Sequence, residues 1–460
     1  MGNARSVTRR TRTRTQPAPP DVGSRYVETC ELDPELRTAV RLATYPSAFE
    51  SAYGSVLLDR PLFVDDRRVR RFADDLATIF RLLVALPARL FHGSLDGYCA
   101  AAGIEPRLAR LMTRVATGSP PLIARSDAYD DGRDLKLLEL NCGTELGGYA
   151  FSEMSRALLD VPAFRRFAEE NALGYVDTVE HVAALLRDVA APVAAGDRPV
   201  VMLLETTGGI EAHPGFRAVQ EAMCRHGIDF LLGEVQDVRT RDGKLTLDEK
   251  PIDVAMRFCA AGEILECPYG EGVLEPVIRA HEEGKTILFT TLENSLFASK
   301  GGLALLSDER NRSAFSDEEI QVIDRVIPWT RVLVDDAELL ERCRAERESL
   351  VLKPCVGWGA VGTVVGHTVT DEEWGQALAA RSDGLSVVQR LVTPVSEDVC
   401  DAVTGEIGRW SANWGVFVTE AGYAGAFARA LKPTDGTIVA FSNNETRATC
   451  VFSSPSERSE

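Results

Sequence analysis

The chain has 460 residues, 45% of them hydrophobic, with 51 Lys and Arg against 69 Asp and Glu and a formal net charge of −18. That charge repels nucleic acid, and no apolar run reaches the ~18 residues of a membrane span, so neither a nucleic-acid partner nor a membrane is expected. Ten cysteines include no C-x-x-C pair and six histidines do not cluster, which argues for reduced thiols in a cytoplasmic protein and against a zinc or disulfide framework.

In chain order, residues 1–24 read as a disordered basic tail. The first twenty positions hold five arginines and no carboxylate. Gln16-Pro17-Ala18-Pro19-Pro20 follows the Arg9-Arg10 pair where an export signal would carry an apolar core. Residues 25–193 form a helical region plus a hairpin. Asp65 to Leu86 has amphipathic helical spacing, ending near Pro87. Residues 121–145, PLIARSDAYDDGRDLKLLELNCGTE, read as the hairpin: alternating runs Leu122 to Ala128 and Leu135 to Asn141 flank the turn cluster Asp130-Asp131-Gly132-Arg133. Facing residues of an antiparallel pair have position numbers of constant sum. A turn centred on Arg133 therefore sets Asp127 opposite Glu139 and Arg125 opposite Asn141, all on one face, with Leu138 and Leu140 beneath. The oxygens of Asp127, Glu139 and Asn141 suit a hard cation such as Mg²⁺, and the Arg125 guanidinium suits a phosphate oxygen. An edge hairpin with a merely solvated charged face would read the same way.

Glu153 to Leu159 leads into helices up to about residue 193, and Ala191 to Gly196 marks a linker. Residues 194–290 read as a small α/β domain: strand Pro199 to Leu204, helix Phe216 to Arg225 capped by Gly227, strand Ile228 to Leu232, a hairpin at Asp242-Gly243, and a strand ending at Phe258. Glu211 and Arg257 fall at strand ends, where open α/β sheets bind ligands, although ordinary surface charge would look alike. Ser316-Asp317-Glu318-Glu319 is a helix-capping box.

Residues 291–460 contain the stretch LVLKPCVGWGAVGTVVG at 350–366. Gly357, Gly359 and Gly362 meet the G-x-G-x-x-G pattern, yet a strand follows instead of the helix that a dinucleotide site requires. Strand–glycine loop–strand is the shape that covers a nucleotide triphosphate, as in protein kinases, but no H-R-D, D-F-G or A-P-E is present and Lys353 precedes the loop.

Lys353 entering a glycine hairpin, with Gln389 in the later strand SVVQRLV, resembles an ATP-grasp fold. With the upstream hairpin added, the chain resembles the circularly permuted ATP-grasp of glutathionylspermidine synthase and related ligases over about residues 110–455. Arg125, Asp127, Glu139 and Asn141 match that family's Arg-x-Asp and Glu-x-Asn, Ser299 to Leu306 matches its Ser-Asn-Lys segment, and Leu352-Lys353-Pro354 its second nucleotide lysine. Ala426 to Arg429 and Ser442-Asn443-Asn444 resemble its closing strands. The loop departs from the pattern: Trp358 replaces a loop arginine. Cys142 and Thr144-Glu145 stand where the family's acceptor pocket begins.

The resemblance implies an α/β fold with ATP and Mg²⁺ as cofactors. Lys300, Lys353, Gln389 and the three loop glycines would hold nucleotide. Asp127, Glu139 and Asn141 would hold metal, Arg125 and Arg429 would be catalytic, and Thr144, Glu211, Arg257 and Trp358 would contact substrate. The implied reaction is ADP-forming amide synthesis between two small molecules, a carboxylate such as a glutamyl donor and an amine. A peptide-modifying ligase and an inactive ATP-binding module are the alternatives. Oligomeric state is not legible.

Overall fold

The computed structural model describes residues 21–357 and 359–455, so residues 1–20 of the basic tail and Trp358 lie outside the described residues. The alternating residues of the hairpin pair with the alternating residues of the C-terminal strands in one sheet. Ile123–Asp130 lies between Leu135–Cys142 and the long strand Ile407–Thr419. Gly422–Leu431, Arg447–Ser454 and Leu62–Asp65 extend the sheet, and Ser396–Cys400 pairs with the first part of Ile407–Thr419, which makes seven strands.

Each face of this sheet is covered. On one side lies helix Asp66–Leu90, capped by Asp65, whose carboxylate accepts the Arg68 N–H at 2.8 Å. Val69, Phe72, Leu76, Ile79, Phe80, Leu83 and Leu86 recur at helical spacing and are buried; each such side chain contributes roughly 1.5–3 kcal/mol. The expected stop at Pro87 is corrected, because the helix runs on to Leu90. Proline removes one N–H bond from the last turn, while Phe91 and Gly93 still donate to the Pro87 carbonyl. On the other side, Phe417 stacks on Tyr149 and Phe427 on Phe151, each with ring centroids 5.3 Å apart. Helix Val22–Leu32 joins that layer through Val22, Tyr26 and Cys30, with Asp21 as its cap, so ordered helix begins inside the span read as tail.

The small α/β unit has a parallel sheet in the order Ile287–Phe289, Val254–Arg257, Val200–Glu205, Asp229–Glu234. Its helix Gly215–Arg225 ends before Gly227 (φ +81°), and its hairpin turns on Asp242 and Gly243, both at positive φ as a tight two-residue turn requires. A third sheet, antiparallel throughout, runs Thr330–Val334, Asp383–Arg390, Leu350–Pro354, Val364–Val365. The glycine loop bridges its last two strands, and helix Asp371–Ala380 follows, capped by Thr370 and Glu373. Ser442 to Asn444 lies in the turn before Arg447–Ser454; the expected strand there is a correction, since Asn443 bonds Asp435 O through its side chain and Ala440 O through its N–H. Among the described residues no single helix is long and apolar enough to cross a membrane.

Candidate active site

The hairpin pairs Arg125 with Asn141 and Asp127 with Glu139. One residue further the register slips, and Ala128 faces Leu137. This bulge leaves Leu138 as the extra residue, which turns it from the packed face into the wall of the cleft and corrects the expectation that it lies beneath. The Ala128 N–H is taken by Asn413 Oδ1 at 3.2 Å.

Asp127 is held between two guanidiniums. Arg429 Nη2 donates to Oδ2 at 2.6 Å and Arg125 Nη2 to Oδ1 at 3.1 Å. Burial alone would raise the Asp127 pKa; the two arginines outweigh it and hold the carboxyl well below the usual range. Burial lowers the Arg125 pKa. For Arg429 the same burial is overcome by Asp127, and the pKa is raised. The Nε atoms of both arginines are buried without a hydrogen-bond partner among the described residues. Phe427 lies under both, at 5.7 and 5.9 Å. Arg125 also donates to Gly147 O at 2.9 Å, and Asn141 Nδ2 reaches Arg125 O at 3.5 Å.

Lys300 opens helix Lys300–Ser307, capped by the Ser299 hydroxyl. Its ammonium sits 2.9 Å from Glu139 Oε2 and donates to Gly357 O at 3.0 Å. Gly301 must be glycine, because a Cβ there would stand 2.1 Å from the Ala102 carbonyl oxygen. Lys353 donates to Gln389 Oε1 at 2.8 Å across neighbouring strands, and Gln389 Nε2 continues to Thr330 Oγ1 at 3.1 Å. Burial, opposed by Glu139 and reinforced by Lys300, lowers the Lys353 ammonium to about 8.

Asp127, Glu139, Lys300, Lys353, Gln389 and Arg429 line a narrow cleft of about 100 Å³, whereas Arg125 and Asn141 are not among its lining residues. Gly357, Gly359, Ala360 and Thr363 form its roof, and Leu138, Val351, Val365 and Val439 an apolar wall. Gly357, Gly359 and Gly362 adopt φ of +152°, +63° and +73°, a conformation glycine permits at little cost. A wider open groove of about 1000 Å³ lies elsewhere, beside Arg41, Asp59, Trp410 and Lys432. Its arginine and aspartate pair with each other at 3.1 Å, and it shares no residue with the lysine–carboxylate cluster.

The residues expected to meet substrate are placed differently. Thr144 is fully buried, and its hydroxyl donates to Arg257 O at 2.5 Å. Arg257 is also fully buried and spends its donors inside the protein: Nε on Thr290 O at 3.0 Å, Nη1 on Cys259 O at 2.7 Å, Nη2 on Glu145 Oε2 at 2.7 Å. Each of the three nitrogens of Arg257 therefore has a partner within the protein, and Arg257 is not among the residues lining the cleft. Glu211 is exposed on the short helix Gly209–Ala212 and lines no part of the cleft. The sequence reading missed the role of Asn413, whose only signal is a lone amide among the apolar residues of RWSANWGVFV. It also missed the Arg257–Glu145–Ser295 chain, in which Ser295 Oγ donates to Glu145 Oε1 at 2.8 Å. Cys142 and Cys355 are both buried, and burial raises the Cys142 thiol far above its ordinary value and the Cys355 thiol to about 12.

The donor set fits Mg²⁺ when phosphate completes it. Among the described residues no group of three or more His, Cys, Asp or Glu exists that could hold a metal unaided. Asp127 and Glu139 face each other, and Mg²⁺ commonly takes one or two carboxylates together with substrate phosphates and waters.

No family model matches the chain, and no curated protein matches its sequence. Among solved structures, a glutathione synthetase-like effector from Globodera pallida, in its apo form, matches with a TM-score of 0.57 at 12% identity, over 91% of this chain and 97% of that one. A putative gamma-glutamylcysteine synthetase from Methylobacillus flagellatus matches with a TM-score of 0.44 at 13% identity, over 85% and 89% of the two chains. The chain thus has a mixed α/β fold, shared along nearly its whole length with the Globodera protein.

Proposed function

We propose that this protein is an ATP-dependent carboxylate–amine ligase that forms an amide between two small molecules and releases ADP and phosphate. One observation carries the reading: Arg125, Arg429, Lys300 and Lys353 surround the facing carboxylates Asp127 and Glu139 beneath a glycine loop. The hairpin precedes the lysines in the chain, which supports the circularly permuted order. We assign residues 25–193 to the helical region and hairpin, 194–290 to the α/β domain, and 291–460 to the nucleotide lobes. Ten free cysteines, of which only Cys224 is exposed, favour a reducing cytoplasm.

Lys300 and Lys353 would hold the nucleotide phosphates, with the loop N–H groups above them. Asp127, Glu139 and Asn141 would hold Mg²⁺, which when bound supplies charge neutralisation at the β- and γ-phosphates. Arg429, which lines the cleft, and Arg125, which shares Asp127 with it, would steady a substrate carboxylate as it attacks the γ-phosphorus and ADP departs. The resulting acyl phosphate is attacked by the amine, and the same guanidiniums stabilise the oxyanion and the departing phosphate. A cleft of about 100 Å³ is below the roughly 300–1,000 Å³ of ordinary ligand pockets, so the glycine loop lifts to admit nucleotide and closes to exclude water. With Arg257 committed to Glu145, recognition of a glutamyl donor falls to Arg125 and Arg429.

The test is ADP release with pools of amino acids and amines, followed by mass spectrometry of the product. An amide product with stoichiometric ADP supports the reading. AMP and pyrophosphate as products overturn it.

A further inference from the structure

Both carboxylates facing the cleft are already matched by cations. Asp127 has Arg429 at 2.6 Å and Arg125 at 3.1 Å, and Glu139 has Lys300 at 2.9 Å. Lys353 adds a cation whose hydrogen bond goes to the neutral Gln389 carbonyl at 2.8 Å. Arg390 at the rim is paired with Glu346 at 2.6 Å. Arg429, Lys300 and Lys353 line the cleft and Arg125 pairs with its Asp127, so four cations against two carboxylates leave the site positive. Asp127, Lys300 and Arg429 are nearly buried, where counter-ions from solvent screen poorly.

A divalent cation approaching this cleft alone would have to displace Lys300 from Glu139 and the arginines from Asp127. It would then lie a few ångströms from all the displaced charges. Polyphosphate reverses both conditions. Its oxygens accept charge-assisted bonds from Lys300 and Arg429, which frees Glu139 and Asp127, and its negative charge cancels the surplus. We propose that the nucleotide's phosphates create the metal site: without nucleotide, Lys300 and Arg429 are resident counter-ions that keep divalent metal out. The metal binds once phosphate has drawn them off Glu139 and Asp127. This rests on the ligase reading and adds to it the order of loading, nucleotide before or together with metal and never after it.

The order predicts an asymmetry. ADP should bind in the presence of EDTA, because four cations await it, whereas Mn²⁺ without nucleotide should not bind. The full-length protein is titrated with Mn²⁺, free metal being followed by its electron paramagnetic resonance signal, with and without a non-hydrolysable ATP analogue. Because the analogue itself chelates Mn²⁺, each titration is read against the same analogue and Mn²⁺ without protein, and metal binding to the protein beyond that control should tighten at least about tenfold with the analogue. Lys300→Met releases Glu139 and removes one positive charge, so Mn²⁺ binding without nucleotide should appear in that variant. Lys353→Met removes the same charge without releasing a carboxylate and should gain clearly less. Equal Mn²⁺ affinity with and without the analogue in the wild type overturns the proposal while leaving the ligase reading intact, and so does a folded Lys300→Met that gains no metal. If neither the analogue nor Mn²⁺ binds under any condition, the ligase reading itself fails and takes this proposal with it. The wild-type comparison decides even if Lys300→Met does not fold.

Discussion

Asn413 accepts the Ala128 N–H at 3.2 Å, where the hairpin register slips by one residue. A bulge leaves an N–H without its ladder partner, and here a side chain from the adjacent strand supplies one. The bond fixes the bulge immediately beside Asp127. Asn413→Leu should leave that buried N–H unsatisfied and destabilise the fold by roughly 1–3 kcal/mol. Because the bulge aims Asp127 and Leu138, kcat should fall as well, by more than a global loss of that size explains for the folded fraction. Urea unfolding together with kcat per folded molecule checks this. Normal turnover in a destabilised variant would reduce Asn413 to a purely structural residue.

What could be read from the sequence, and what could not, divides along the same bulge. The two-residue period and the turn cluster were enough to pair Asp127 with Glu139, since those signals are local. The slip beyond them leaves no mark in the alternation, because an inserted residue looks like any other apolar position. Leu138 was therefore placed on the wrong face. Lys353 and Gln389 lie on adjacent strands whose apolar runs are plain in the sequence, so their meeting could be anticipated. Arg257 shows the opposite case. Its strand was legible, but its partner Glu145 lies 112 positions away along the chain, and nothing local distinguishes a guanidinium awaiting substrate from one already paired.

Gly301 ties the position of Lys300 to helix packing. A methyl group at 301 would stand 2.1 Å from Ala102 O, a backbone atom that cannot swing aside, so the helix must move and carry Lys300 with it. Gly301→Ala should cost about 1–3 kcal/mol of stability and raise the KM for ATP. Gly375, within helix Asp371–Ala380, has nothing within 4 Å of its would-be Cβ, so Gly375→Ala should instead stabilise by roughly 0.5–1 kcal/mol. Thermal melts of the two variants, with ATP titrations, test the contrast. Similar shifts in both would show that the helix can relax around the added methyl.

Lys353 makes stability and nucleotide binding respond oppositely to pH. Its folded pKa of about 8 lies below the ordinary 10.5, so between those values the unfolded chain binds the extra proton and stability rises with pH. Lys353→Met removes that term. At pH 7 the variant should be at least as stable as the wild type, with the difference closing by about pH 10.5. Nucleotide affinity should run the other way, weakening above pH 8 in the wild type as the ammonium loses its proton. Lys353→Arg keeps its charge and should lack this alkaline loss. Calorimetric titration of ADP from pH 7 to 9.5 checks it; an unchanged slope in the arginine variant would assign the titration to another group.

Arg257 and Glu145 provide the sharpest separation of support from substrate contact. Arg257 is completely buried, and its charge is answered by Glu145 at 2.7 Å. Removing one partner of a buried ion pair strands the other, so Glu145→Gln should destabilise by roughly 3–5 kcal/mol. Ser295→Ala removes only one hydrogen bond to the same carboxylate and should cost roughly 0.5–1.5 kcal/mol. If the pair is a support, Arg257→Met should largely rescue Glu145→Gln, since the double variant buries no unpaired charge. Both double and single variants should then show substrate KM values near wild type in whatever fraction remains folded. If Arg257 instead captures a substrate carboxylate, the double variant stays defective in KM however well it folds. Denaturation curves for the full double-mutant cycle, paired with KM for each substrate, distinguish the two, and a KM defect without any stability coupling would return Arg257 to the substrate site.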